Sequence, residues 1–274
     1  MVNTALSIPE MEATARKIRR HILNMIGKAN SGHPGGSLSA VELLVALYFQ
    51  VLKHDPKNPK WPERDRFILS KGHGAPVLYA VLAECGYVSI DQLLTLRQMD
   101  SCFQGHTDCH LTPGVEMSAG SLGQGLSFAV GTALAGKLDA LSYKVFALLG
   151  DGECDEGQVW EAAMAAAHFK ADNLIAIIDK NEIQLDGWTK DIMNNEPFAD
   201  KWRGFGWRVF EVDGHNVGKV AEVLDNARKV NGTPSVIIAH TVKGKGVSFM
   251  ENNPDFHGKA PTAAELEKAL KEVG

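Results

Sequence analysis

The chain has 274 residues, 45% of them apolar and 22% charged, and carries a net charge of −5 from 28 basic and 33 acidic side chains. That is the balance of an ordinary globular protein. No stripe of Lys or Arg marks it for nucleic acid, and no apolar run reaches the ~18 residues of a membrane span. The N-terminal MVNTALSIPEME lacks the charged and apolar regions of a secretory signal. Cys85, Cys102, Cys109 and Cys154 form no CxxC pair, so the thiols are expected to stay reduced in the cytoplasm.

In chain order, Ser7-Ile8-Pro9-Glu10 reads as a capping box opening a helix through MEATARKIRRHILNMI. That helix stops at the Gly-rich loop KANSGHPGG, after which LSAVELLVALYFQVL has the period and length of one helix. The Pro-rich DPKNPKWPERD predicts a surface loop, DRFILS a short strand, KGHGAP a loop and VLYAVLAECG a helix. Residues 86–119 look irregular apart from one short helix near SIDQLLTLRQM. GSLGQGLSFAVGTALAGKL starts Gly-rich and becomes a helix whose small residues permit close packing. Further strands are VFALL, NLIAII, WRVFEV and PSVIIAH, with helical segments between them, and TAAELEKALKEVG forms a closing amphipathic helix. Fully apolar strands separated by helices predict a buried, mainly parallel sheet with helices on both faces, a doubly wound α/β fold in one domain spanning residues 1–274.

In such sheets ligands sit beyond the carboxyl ends of the strands. Asp151 follows VFALL and Asn181 follows NLIAIID, about one βαβ unit of ~30 residues apart, so both side chains arrive at the same edge. Gly150 and Gly152 flank the acid and leave room for a ligand to approach backbone N–H groups. One carboxylate, one amide oxygen and a backbone carbonyl make a hard, oxygen-rich site of the kind Mg²⁺ shares with substrate phosphates. The competing account of the same residues is a helix cap at Asp151 and a turn at Asn181. Cys102, His106, Cys109 and His110 can be read as a zinc cluster, but their spacings match none of the usual patterns.

GDG followed about thirty residues later by the Asn of DKNEIQLDG resembles the thiamine diphosphate motif of the transketolase family. KANSGHPGG, DRFILSKGHGAP, PGVEMSAGSLGQGLS and VKGKGVSFMENNPDFHG resemble that family's other blocks, in its order, from about residue 16 to about residue 260. The resemblance implies the thiamine diphosphate-binding fold of the diphosphate (PP) domain. It implies that Asp151, Asn181 and the backbone carbonyl of Ile183 bind Mg²⁺ or Ca²⁺, with Gly152 and Asn181 also on the diphosphate. By the same resemblance Gly120, Ser121 and Leu122 touch the aminopyrimidine. His33, His106 and His257 would face the sugar hydroxyls, while His73 and His257 meet the diphosphate, roles suited to imidazoles near neutral pH.

Glu156 is a carboxylate early in a helix, and in the family an acid here lies near the dimer interface. Lys243 and Lys245 in TVKGKG could add positive charge near phosphates, although such a pair more often makes a solvated turn, and Asp186 with Gly187 reads as a turn. His21, His54, His110, His168, His215 and His240 are expected to be structural or at the surface.

A transketolase also needs a pyrimidine domain, whose glutamate activates the cofactor, and a C-terminal domain; no stretch here resembles either. The resemblance therefore implies the N-terminal subunit of a split transketolase. The partner would be a C-terminal subunit, in an α₂β₂ heterotetramer acting on phosphorylated sugars of the pentose phosphate pathway. Alternatives at this point are a thiamine-dependent ketol transferase on another sugar or sulfosugar, a 1-deoxyxylulose-5-phosphate synthase, or a non-catalytic thiamine diphosphate-binding module. A Mg²⁺-dependent nucleotide binder is disfavoured, because the chain has no Walker loop and GSLGQG is not GxGxxG.

Overall fold

The computed structural model describes residues 5–274. Helix α1, Ile8–Ala29, begins where the Glu10 carboxylate accepts hydrogen bonds from the Ser7 N–H (2.8 Å) and hydroxyl (2.6 Å). It ends on Asn30 in the left-handed conformation, which Asn tolerates better than most residues. Next come α2 (Pro34–Ser39) and α3 (Val41–Ala46), then a widened turn over Leu47–Val51. The single helix predicted there is thus broken at Ala40, and it starts earlier, inside the Gly-rich loop. Its break follows Ser39, whose hydroxyl donates 2.6 Å out of the helix to Asp179, a pull that periodicity does not encode.

The next elements are strand β1 (Arg66–Leu69), a single turn at Gly72–Gly74 and helix α4 (Ala75–Cys85). The short helix foreseen in residues 86–119 is a tight one, Ile90–Thr95. Helix α5 (Gln124–Leu138) leads to β2 (Val145–Gly150), α6 (Gly157–His168) and β3 (Leu174–Lys180). A small antiparallel hairpin follows, β4 (Ile183–Gln184) and β5 (Gly187–Trp188), with Leu185 and Asp186 at its tip. The remainder is α7 (Thr189–Ile192), α8 (Phe198–Gly204), β6 (Arg208–Asp213), α9 (Val217–Arg228), β7 (Ser235–His240) and α10 (Ala263–Glu272).

The main sheet is parallel throughout, in the order β1-β2-β3-β7-β6. Successive strand residues point to opposite faces, and both faces are buried. Phe146, Leu148, Ile175, Ile177 and Ile237 pack into one core with α1, α3, α4 and α9. Val145, Ala147, Leu149, Leu174, Ala176 and Ile178 pack into a second core with α5, α6 and α8. This two-sided burial is why the central strands read as unbroken apolar runs rather than as alternating ones. It is the doubly wound α/β architecture, and β2 and β3 are direct neighbours, with Gly150 paired to Asp179.

Candidate functional site

Because β2 and β3 are adjacent and parallel, the residues just past them share one edge. Asp151 and Gly152 from β2, and Asn181 and Ile183 from β3, line a single cavity together with Lys71, His73, Leu122, Glu153, Lys243 and His257. The Asp151 carboxylate is almost fully buried and accepts the Glu182 N–H at 2.8 Å. Burial first, and the nearby Asp179 second, push it up to about 6. A Cβ on Gly152 would meet Gln184 Cβ at 2.6 Å, so the chain passes too close here for a side chain. Asn181 is buried as well, its amide donating to Asp179 at 3.3 Å and its oxygen accepting the Ile183 N–H at 3.2 Å.

Beneath these residues lies a polar layer that sequence reading missed. Asp179 is fully enclosed and accepts from the Lys71 ammonium, from Ser39 and from Thr241. Burial alone would raise this carboxyl, but the Lys71 charge and the hydroxyl donors override it and hold it below the usual carboxylate range. Lys71 also donates to the Gly36 carbonyl at 2.9 Å. Glu153 bridges two loops, accepting Gly123 N–H at 2.8 Å, Gly150 N–H at 3.0 Å and the Ser70 hydroxyl.

Of the two readings of Lys243, the solvated turn fails and the positive charge at the site is the one its position allows, since it lines the cavity. Its side chain is 2% exposed and donates to the Ile183 carbonyl and to His257 Nδ1, both at 2.8 Å. Burial and the Lys71 charge bring it down to about 8. A buried network tilts the turn inward. The Arg19 guanidinium pairs with Glu42 at 2.7 Å and donates to Lys245 O at 3.0 Å. His215 Nδ1 meets the same Glu42 at 3.0 Å while its Nε2 accepts Val242 N–H at 2.8 Å. No local pattern around TVKGKG signals those distant partners; His215 is structural, as expected.

The predicted histidines do converge. Ring centroids of His33 lie 5.5 Å from His73, 5.9 Å from His106 and 5.5 Å from His257, and His73 lies 5.2 Å from His257. Burial pushes His33 down to about 4, with Arg97 adding to it, and pushes His257 down to about 3, with Lys243 adding to it. His73 and His106 are lowered by burial too. At pH 7 the His33 and His257 rings are neutral, each able to donate one hydrogen bond and accept another. His33 Nδ1 is buried without a hydrogen-bond partner among the described residues, an orphan of the kind a ligand satisfies.

His33 and His257 also line an adjoining opening with Asp186 and Lys259. Of the loop Gly120–Ser121–Leu122, only Leu122 lines the cavity; Gly120 and Ser121 are exposed ahead of it. Glu156 is exposed just before α6. Among the described residues no group of three or more His, Cys, Asp or Glu side chains is arranged to hold a metal ion. The Cys102–His110 segment does not gather: His106 turns to His33, while Cys109 Sγ accepts from Ser118 Oγ at 3.4 Å. The oxygen set of Asp151, Asn181 and the Ile183 carbonyl differs in kind, relying on an amide and a backbone oxygen. Its chemistry fits a hard cation next to phosphate, and a cationic nitrogen already stands on the Ile183 oxygen.

Residues 11–274 match the family model for the transketolase, thiamine diphosphate binding domain. The 6-deoxy-6-sulfo-D-fructose transketolase subunit SqwG of Clostridium sp. (strain MSTE9) is 48% identical, over 96% of both chains. An apulose-4-phosphate transketolase subunit of Actinobacillus succinogenes is also 48% identical, over 98% of this chain and 97% of its own. The crystal structure of the Campylobacter jejuni transketolase superposes with a TM-score of 0.92 at 35% identity, covering 98% of this chain and 43% of that one. The chain thus spans nearly the full length of the two subunit relatives and less than half of that transketolase.

Proposed function

This chain belongs to the transketolase thiamine diphosphate binding domain family, and from that premise we propose that it is the N-terminal subunit of a two-chain, Mg²⁺-dependent transketolase. The complex would move a two-carbon ketol unit from a ketose phosphate, or a related anionic ketose, to an aldose phosphate. Its partner would be a C-terminal subunit bearing the pyrimidine domain and its glutamate, in an α₂β₂ assembly in the cytoplasm, with this chain as a single diphosphate-binding domain.

The observation that carries this reading is the convergence, on one cavity, of an oxygen set, two buried lysines and neutral histidines. Asp151, Asn181 and the Ile183 carbonyl would hold the Mg²⁺. Gly152, Asn181, His73 and His257 would receive the diphosphate, and Gly120, Ser121 and Leu122 the aminopyrimidine. When bound, thiamine diphosphate supplies the electron sink for the two-carbon unit. His33, His106 and His257 would hold the sugar hydroxyls and pass protons to and from them, which neutral rings can do in either direction. The glutamate that activates the pyrimidine ring is assigned to the partner, because no stretch of this chain resembles the segment that bears it.

The names of the two subunit relatives add sulfofructose and apulose 4-phosphate to the ordinary sugar phosphates as candidate substrates. The test is turnover of xylulose 5-phosphate and ribose 5-phosphate with thiamine diphosphate and Mg²⁺, by the chain alone and after co-expression with the C-terminal subunit. Activity is expected only in the second case. Turnover by the chain alone, free of partner, would sink the proposal; tight cofactor binding by the lone chain with no turnover in any complex would favour a non-catalytic module.

A further inference from the structure

The loop GSLGQG carries two glycines, Gly123 and Gly125, that the site as described leaves without a role. Gly123 is left-handed at φ 80°, and a Cβ there would meet Gln158 Cγ at 2.9 Å and Glu156 Cβ at 3.0 Å. Gly125, in the first turn of α5, lies so close to Ser70 that a Cβ would overlap its side chain. The loop is thus pressed between the end of β1 and the start of α6. Such closeness lets side chains from outside the loop reach its backbone.

Two of them hold a single peptide group. Gln158 Nε2 donates to the Leu122 carbonyl at 2.9 Å, and Glu153 Oε1 accepts the Gly123 N–H at 2.8 Å. The carbonyl and the N–H belong to the same planar unit, so a bond at each end fixes its orientation where one bond would leave it free to swing. Leu122, on one side of that unit, lines the cavity. Both clamping side chains come from the segment just past Asp151, and Glu153 Oε2 also accepts the Gly150 N–H at 3.0 Å, immediately before Asp151. One short segment therefore ties the loop to the turn that carries the candidate cation ligands. Glu153 is 3% exposed, a costly place for a carboxylate, and among the described residues it pairs with no Lys or Arg. Its partners are two backbone N–H groups and the Ser70 hydroxyl, which points to a task in geometry rather than in charge pairing.

We infer that Gln158 and Glu153 are positioning residues that clamp the Leu122–Gly123 peptide group and so hold the Gly120–Ser121–Leu122 loop at a set distance from the Asp151 turn. The inference rests on the function proposed above and deepens it. The clamp orders the loop before the cofactor arrives, so its aminopyrimidine and diphosphate ends meet surfaces already in register, and less ordering is left to be done on binding.

The test measures, by calorimetry in Mg²⁺, the binding of thiamine diphosphate to the co-expressed complex and its displacement by inorganic pyrophosphate, which carries the diphosphate end alone. Gln158→Met, a change of similar size at a half-buried position, is expected to weaken thiamine diphosphate about three- to tenfold and to alter pyrophosphate less than about twofold. Glu153→Gln should weaken thiamine diphosphate about tenfold or more. Because both side chains act on one peptide group, the double variant should lose about as much as the worse single change, not the product of the two. Should Glu153→Gln fail to fold, the two-ligand comparison in Gln158→Met decides alone. Equal losses for both ligands in Gln158→Met, or no loss for either, would overturn the inference, as would multiplicative losses in the double variant. Thiamine diphosphate that pyrophosphate cannot displace would show that the two ends are not held separately and overturn it too. An unaltered complex that does not bind thiamine diphosphate refutes the proposed function and the inference with it. A complex that binds the cofactor and moves ketol units, yet is indifferent to Gln158, refutes the inference alone.

Discussion

The carboxyl ends of β2 and β3 lie side by side and treat their aspartates in opposite ways. Asp179 is sealed in, paired to Lys71 and served by hydroxyl donors, so it stays ionised and its charge is satisfied within the protein. Asp151, one residue past Gly150 in the neighbouring strand, is nearly as buried but has no cation of its own, and it is pushed up to about 6. One carboxylate belongs to the scaffold, and the other is the one that, in the proposed function, would receive a cation from outside. Burial alone does not separate the two roles; the local charge balance does.

Breaking the scaffold side should cost the most. Asp179→Asn leaves the Lys71 ammonium buried without a counter-charge, and a loss of about 3–5 kcal/mol is expected in urea unfolding of the chain. The double variant Asp179→Asn/Lys71→Met should recover much of that. If the single change cost under about 1 kcal/mol, the contrast between the two aspartates would be unsound.

Asp151→Asn should move stability the other way. Removing a desolvated, unpaired charge is expected to stabilise the cofactor-free chain by about 1–3 kcal/mol at pH 8. The same change should abolish Mg²⁺-dependent retention of thiamine diphosphate, read by gel filtration of the complex with the cofactor. A variant that loses stability, or keeps the metal dependence, would remove Asp151 from the cation site.

The smallest effect is the pH response. His33 and His257 have depressed values, so below about 6.5 the unfolded chain takes up protons that the folded chain refuses until about pH 4 and about pH 3. Their contribution to stability is complete above 6.5 and lost as pH falls through that window. Asp151 runs the opposite way: its folded value is raised, so acidification from about 6 towards 4 relieves its cost. Thermal melting between pH 7 and pH 4.5 should therefore fall, and fall more steeply in Asp151→Asn, which lacks the compensating gain. Parallel slopes in the two proteins would contradict the assignment for Asp151.

Much of this site was legible. GDG and the Asn of DKNEI lie at the ends of two apolar runs, and the histidines sit beside glycines in loops, so their residue types and spacing mark them out. Lys71 sits beside His73 in SKGHGAP and Asp179 closes NLIAIID, so both were visible, but nothing near either announces the other. The solvated reading of Lys243 was the favoured one because a lysine in a Gly-rich turn such as VKGKG usually faces water. Here Arg19, Glu42 and His215, from distant parts of the chain, hold its turn against the cavity. The break at Ala40 escaped for a similar reason, since Ser39 reaches out of its helix to a strand end 140 residues away.

By itself the sequence determined the alternation of apolar strands and helices, hence the parallel sheet with two covered faces, and the edge at which the candidate site residues gather. Those follow from periodicity and from strand geometry, which are local. Which carboxylate is paired, which lysine is buried and which histidines stay neutral were decided only in the tertiary structure. Desolvation and charge pairing depend on neighbours within a few ångströms, and here those neighbours come from elements far apart along the chain.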